Sequence, residues 1–139
     1  MSLLDTMPPN SFCWLDLAAS DIAVAMDFYA QAFGWSFATQ HANGGRFVRC
    51  RIGTRDVGSL YPIKQAQRER GVPSHWTPYI RVDDADSLAQ RVARLGGRVL
   101  VAPFDVERIA RIALIEDAVG AVLGLWQPLA PSQIGTIRP

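Results

Sequence analysis

Along this chain, stretches in which apolar and polar residues alternate are interrupted by stretches in which apolar residues return every three or four positions. The same succession occurs twice. In the first half Leu15 and Leu17 alternate with Trp14 and Asp16, a period-two run that predicts a strand with two unlike faces. Ser20 and Asp21 offer side-chain acceptors to the first free amides of a helix, and Ile22, Met26, Tyr29 and Phe33 follow as one apolar stripe. Gly34 ends that helix, because glycine reaches the left-handed conformation at little cost. After a loop around Asn43, Gly44 and Gly45, the segments RFVRCRI and DVGSLYP alternate again about a turn marked by Gly53 and Asp56. WSFATQ leaves room for a further strand.

The second half repeats this order. TPYIRV predicts a strand, Asp83 or Asp84 a helix cap, and Ala85, Leu88, Val92 and Leu95 the stripe, with Gly96 and Gly97 as the stop. RVLVAP, ARIALIED and GAVLGLWQP supply three more strands. Residues 1–63 thus read as one βαβββ module, 64–74 as a polar linker, 75–130 as a second module and 131–139 as a loosely held tail. The expected class is α+β, with two modules in tandem forming a curved mixed sheet around a cleft; a single ferredoxin-like domain with incidentally similar halves is the alternative.

Alternation also sorts the strand residues by face. If Leu15, Leu17, Leu60, Ile80, Val82, Leu123 and Leu125 lie under the helices, then Trp14, Asp16, Ser59, Tyr61, Thr77, Tyr79, Gly124 and Trp126 face the cleft. In RFVRCRI, Val48, Cys50 and Ile52 take the helix side and leave Phe47 and Arg49 on the cleft side; by the same logic Ile112 and Leu114 leave Arg111 pointing inward. Such a cleft, with aromatic walls, one carboxylate and two guanidinium groups, suits a flat organic molecule carrying an acidic or carbonyl group.

Composition narrows the partners. Apolar residues make up 49% of the 139 residues, charged residues 19%, and the net charge is +1. A soluble globular protein follows, with no electrostatic case for nucleic acid or an anionic membrane. No apolar run approaches the roughly 18 residues of a bilayer span and no secretory leader is apparent, so a cytoplasmic location is expected, with Cys13 and Cys50 as reduced, buried thiols. Neither glycine pair has the spacing of a nucleotide fingerprint, and no G-x-S-x-G elbow occurs.

Three stretches, SDIAVAMDFYAQAFGW, VDDADSLAQRVARLGG and EDAVGAVLGLWQP, resemble the vicinal oxygen chelate superfamily of glyoxalases, bleomycin-resistance proteins and dioxygenases. Ala118 stands where the last motif usually has proline. The resemblance implies paired βαβββ modules, a homodimer, and, in metal-dependent members, four ligands of His, Glu or Gln type at positions that here hold Trp14, Ser59, Thr77 and Gly124. A divalent ion needs imidazole, thiolate or carboxylate donors at ~2.0 to 2.5 Å, so the expectation is a metal-free, cofactor-free cleft and a sequestering or carrier role. Two alternatives stay open: a cofactorless enzyme with Asp16 as acid or base, and a metal enzyme whose ligands have moved to Asp16, His75 and Glu116. His41 reads as a surface residue.

Overall fold

The computed structural model describes residues 2–42 and 45–129, with side chains at 42, 45 and 46 set aside. The expected Asn43–Gly44 loop and the tail from Ala130 lie outside the described residues. The elements run α1 (Leu3–Thr6), β1 (Phe12–Ala19), α2 (Ile22–Phe33), β2 (Ser36–Ala42), β3 (Gly45–Ile52), β4 (Arg55–Pro62), α3 (Gln65–Glu69), β5 (His75–Arg81), α4 (Ala85–Val92), a 3-10 turn (Ala93–Leu95), β6 (Arg98–Val106), β7 (Ala110–Glu116) and β8 (Val122–Pro128). This mixed α+β order contains the βαβββ succession twice. Two compact units divide the chain, one of residues 1–6 and 14–77, the other of 7–13 and 78–139. The stretch expected as a linker carries α3.

In the first unit the strand order is β2-β3-β4-β1. β1 runs parallel to β4, as its crossover through α2 requires, while β2, β3 and β4 are antiparallel neighbours. Asp21 caps α2 by accepting from the amide of Val24 at 3.0 Å, and Gly34 stops it at φ 74°. Ile22, Ala25, Met26 and Tyr29 then lie against Leu17, Ala19, Val48, Cys50 and Leu60, the core of this unit. Leu15, expected under the helix, is 40% exposed and outside that core.

The second unit repeats the order as β5-β8-β7-β6. Asp84, one of the two candidate caps, accepts from the amide of Ser87 at 3.0 Å. Ala85, Leu88 and Val92 pack on Val82, Ala113, Ile115 and Leu125. Leu95, the last residue of the expected stripe, falls in the 3-10 turn and is 65% exposed. β6 is an edge strand whose Val99, Leu100, Val101 and Phe104 are all partly exposed. Two bulges and Pro103 interrupt its hydrogen-bonding row, the usual defence of such an edge against a further strand. Among the described residues no helix is long and apolar enough to cross a membrane.

Both cysteines are buried. Burial, helped by the nearby Asp56 carboxylate, pushes the Cys50 thiol up to about 11. Since the thiolate is the reacting species, iodoacetamide at about pH 8 is expected to leave Cys50 unmodified in folded protein and to alkylate it fully in guanidinium, a contrast read by intact-mass spectrometry.

Candidate functional site

The strands of each unit have a face under the helix and a face turned away from it, and the register shows which residues share the latter. In the first unit Arg49 of β3 stands opposite Ser59 of β4, and Ser59 opposite Asp16 of β1, so these three form one row across the face away from α2. Trp14, two residues before Asp16, reaches the same side and donates its indole N–H to Ser59 Oγ at 3.1 Å. The guanidinium carbon of Arg49 stands 5.8 Å from the centroid of the Trp14 ring, within cation–π range. Continuing the register places Phe47 beside Tyr61, with Ala18 on the other flank of Tyr61. Burial pushes the Tyr61 hydroxyl up to about 12, and the Asp16 carboxylate adds to the rise, so this phenol stays protonated at neutral pH.

Arg49 also gives Nη1 to Asp56 Oδ2 at 3.2 Å, while Arg51 Nε reaches Asp56 Oδ1 at 2.9 Å. Sequence pattern offers Asp56 only as a marker of the turn and does not single out Arg51; Asp56 in fact lies within β4. Undisturbed alternation would set Asp56 in phase with Gly58 and Leu60, beneath the helix. A bulge intervenes: Cys50 pairs with Gly58 but Arg51 with Asp56, leaving Val57 as the extra residue. Val57 turns into the core of the unit and Asp56 comes round to the arginines. Burial alone would raise the Asp56 carboxyl; hydrogen bonds from Arg51 and Arg49, with their charge, hold it below the usual carboxylate range. Folding therefore favours the ionised form. Its stabilisation is complete above the unfolded carboxylate value and is lost as pH falls through the depressed one. The difference in urea midpoint between wild type and Asp56→Asn is expected to be constant from pH 8 to about pH 5 and to shrink below about pH 4.

In the second unit Tyr79 stands opposite Gly124, which stands opposite Leu114; Arg81, Trp126 and Ile112 form the next row. The Tyr79 ring occupies the volume that a Cβ on Gly124 would need, and it meets Trp126 edge to face at 6.1 Å. Thr77, on the same side of β5 as Tyr79, is buried. Arg111 requires a correction. It pairs with Gln127, in phase with Ala113 and Leu125, and so points to the helix side, where it binds Asp86 of α4 at 2.7 Å and Asp105 of β6 at 3.0 Å. Ile112 and Leu114, expected under the helix, lie on the face away from it instead, beside Trp126 and Gly124.

The positions at which the resemblance implies metal ligands do not fit a divalent ion. The indole N–H of Trp14 is a donor spent on Ser59, Thr77 offers a hydroxyl, and Gly124 offers no side chain and has no room for one. The relocated set fares no better. Glu116 is paired with Arg98 at 3.0 Å, and His75 Nδ1 contacts the Pro73 carbonyl at 2.9 Å. Among the described residues there is no group of three or more His, Cys, Asp and Glu arranged to hold a metal ion. Shallow outer hollows lined by Ile63, Gln65, Arg68 and Glu69, and by Val24, Asp27, Phe28, Gln31 and Ala32, bring no convergent chemistry together.

Residues 11–125 match the family model described as the Glyoxalase/Bleomycin resistance protein/Dioxygenase superfamily. The anthracycline biosynthesis protein DnrV of Streptomyces peucetius is 31% identical over 131 residues, covering 86% of this chain and 47% of that protein. The putative glyoxylase CFP32 of Mycobacterium tuberculosis is 34% identical over 116 residues, covering 82% of this chain and 44% of its own length. The chain thus spans about half the length of these relatives. The crystal structure of methylmalonyl-CoA epimerase from Mycobacterium tuberculosis superposes with a TM-score of 0.61 at 20% identity, over 94% of this chain and 97% of that one, a likeness of fold.

Proposed function

This chain belongs to the glyoxalase/bleomycin resistance protein/dioxygenase superfamily, and we propose that within it the protein binds a small aromatic or carbonyl-bearing organic molecule without a metal ion, as a sequestering or carrier protein. The observation that carries the reading is the contact of Trp14 with Ser59. Two positions that would hold an ion are joined to each other by an indole–hydroxyl hydrogen bond, and the face around them combines Phe47 and Tyr61 with the polar row Arg49, Ser59 and Asp16. Flat apolar surface beside a few fixed donors and acceptors is what small-molecule sites are made of. The binding residues in this reading are Trp14, Asp16, Phe47, Arg49, Ser59 and Tyr61, with Thr77, Tyr79, Gly124 and Trp126 from the second half. We place the protein in the cytoplasm as a homodimer.

Quenching of the four tryptophans by a panel of aromatic and carbonyl compounds tests this, with saturable binding of at least one expected. A flat response across the panel overturns the reading. Calorimetric titration with nickel, zinc and iron is expected to show no tight site; one ion bound firmly per chain would sink the metal-free part. The proximity of Asp16 to the protonated Tyr61 supports a second reading, proton transfer on the bound molecule. Turnover of a ligand that Asp16→Asn abolishes while leaving binding intact would establish it.

A further inference from the structure

The face of the first unit away from α2 is not electrically neutral around its aromatic residues. Two guanidinium groups, Arg49 and Arg51, share the single carboxylate of Asp56, which leaves one positive charge uncompensated within that cluster. Arg51 is the more exposed of the two; Arg49 lies over Trp14 with its side chain 28% exposed. A guanidinium presents its donors on fixed edges, and Nη1 and Nη2–Nε belong to different ones. Asp56 takes Nη1. On the opposite edge Nε is buried and has no acceptor among the described residues. A covered donor without an acceptor is costly for a folded protein to retain, and an oxygen of a bound molecule is one way in which the cost is relieved. The other charged group of the row, Asp16, is two strands from Arg49, about 10 Å at the usual strand spacing. Donor and acceptor thus stand about the length of a fused pair of rings apart.

From this we infer that the Nη2–Nε edge of Arg49 receives the charged oxygens of the ligand, so that the molecules bound are planar organic anions, aromatic carboxylates or enolates, with a hydroxyl or similar donor directed to Asp16. The inference rests on the binding reading above and deepens it. A fixed guanidinium then supplies, on this face, the positive charge that a metal ion supplies elsewhere. Its position is set from three sides: β3 carries it, Asp56 holds one nitrogen, and the Trp14 ring supports its plane.

The test compares 3-hydroxy-2-naphthoate with its methyl ester, which has the same rings and hydroxyl but no charge, by tryptophan quenching at neutral pH. Wild type is expected to bind the acid about tenfold or more tightly than the ester, the scale of a charge-assisted hydrogen-bonded pair. Added sodium chloride should weaken the acid and leave the ester unchanged. In Arg49→Gln the two affinities should converge. Arg49→Lys, which keeps the charge but not the two-donor edge, should recover part of the preference. Circular dichroism reports whether each variant is folded; should Arg49→Gln fail to fold, the lysine variant and the salt dependence of wild type decide. Equal binding of acid and ester by wild type, or an acid preference that survives in folded Arg49→Gln, overturns the inference while ester binding upholds the ligand site itself. Binding of neither compound overturns both.

Discussion

Gly124→Ala is expected to destabilise the protein by about 3 kcal/mol, the upper part of the range for forcing an added methyl into a packed interior. Gly124 lies between Tyr79 on β5 and Leu114 on β7, and a Cβ built there would enter the space of the Tyr79 ring. That ring is only 4% exposed and meets Trp126 edge to face, so it has no open rotamer to retreat into without uncovering the sheet. Thermal and urea unfolding of Gly124→Ala, Tyr79→Ala and the double variant check the cause as well as the size. Tyr79→Ala alone is expected to cost about 3 to 5 kcal/mol through lost burial and the cavity it leaves. In its background the alanine at 124 should cost little or nothing, giving a coupling of about 1 to 3 kcal/mol. If Gly124→Ala were as harmful without the ring as with it, the ring would not be the reason for the glycine. The pair also explains why a carboxylate at 124 would not by itself rebuild an ion site: the space above this backbone belongs to tyrosine.

Leu60→Ala and Leu125→Ala are expected to cost about 2 to 5 kcal/mol each. The two leucines hold matching places, Leu60 opposite Leu17 and Val48 in the first unit, Leu125 opposite Ile80 and Ala113 in the second. Both are essentially inaccessible to solvent. Leu60 is surrounded by bulkier groups, with Met26 and Tyr29 of α2 above it, whereas Ala85 and Ala113 line the second core. Small neighbours cannot move far enough to refill a hole, while long flexible ones such as methionine can. The loss should therefore be larger at Leu125 than at Leu60, a ranking that urea midpoints at unchanged slope would show directly. The reverse ranking would count against this account of the two cores.

How much of this was legible beforehand differs from strand to strand. Of the α-helices, α2 and α4 are readable from their capping aspartates and apolar stripes, whereas α1 and α3 lie in stretches with no such pattern. Trp14, Asp16, Ser59 and Tyr61 share one face of β1 and β4, two strands whose alternation has a readable sign. In β7, by contrast, Ile112 and Leu114 on one side and Ala113 and Ile115 on the other are all apolar. Alternation there has no sign, and only the pairing of Leu114 with Gly124 shows that Arg111 belongs with the helix. Leu95 was misplaced because the chain tightens into a 3-10 turn before the stripe is complete. The pairing of Asp56 with the arginines, rather than a place in the turn, is hidden for a different reason: an extra residue in a strand leaves no trace in composition, yet it reverses the phase of everything on one side of it.

The reversal at Val57 has a practical corollary for anyone shortening or grafting this hairpin. Removing that one valine would close the bulge. With an unbroken ladder Asp56 would still stand opposite Arg51, on the side of both arginines, at the cost of the apolar volume that Val57 lends the core. Deletion of Val57 alone should therefore leave the Asp56 ion pairs in place, whereas deletion of a single residue within the regular part of the ladder would turn its neighbours to the wrong face.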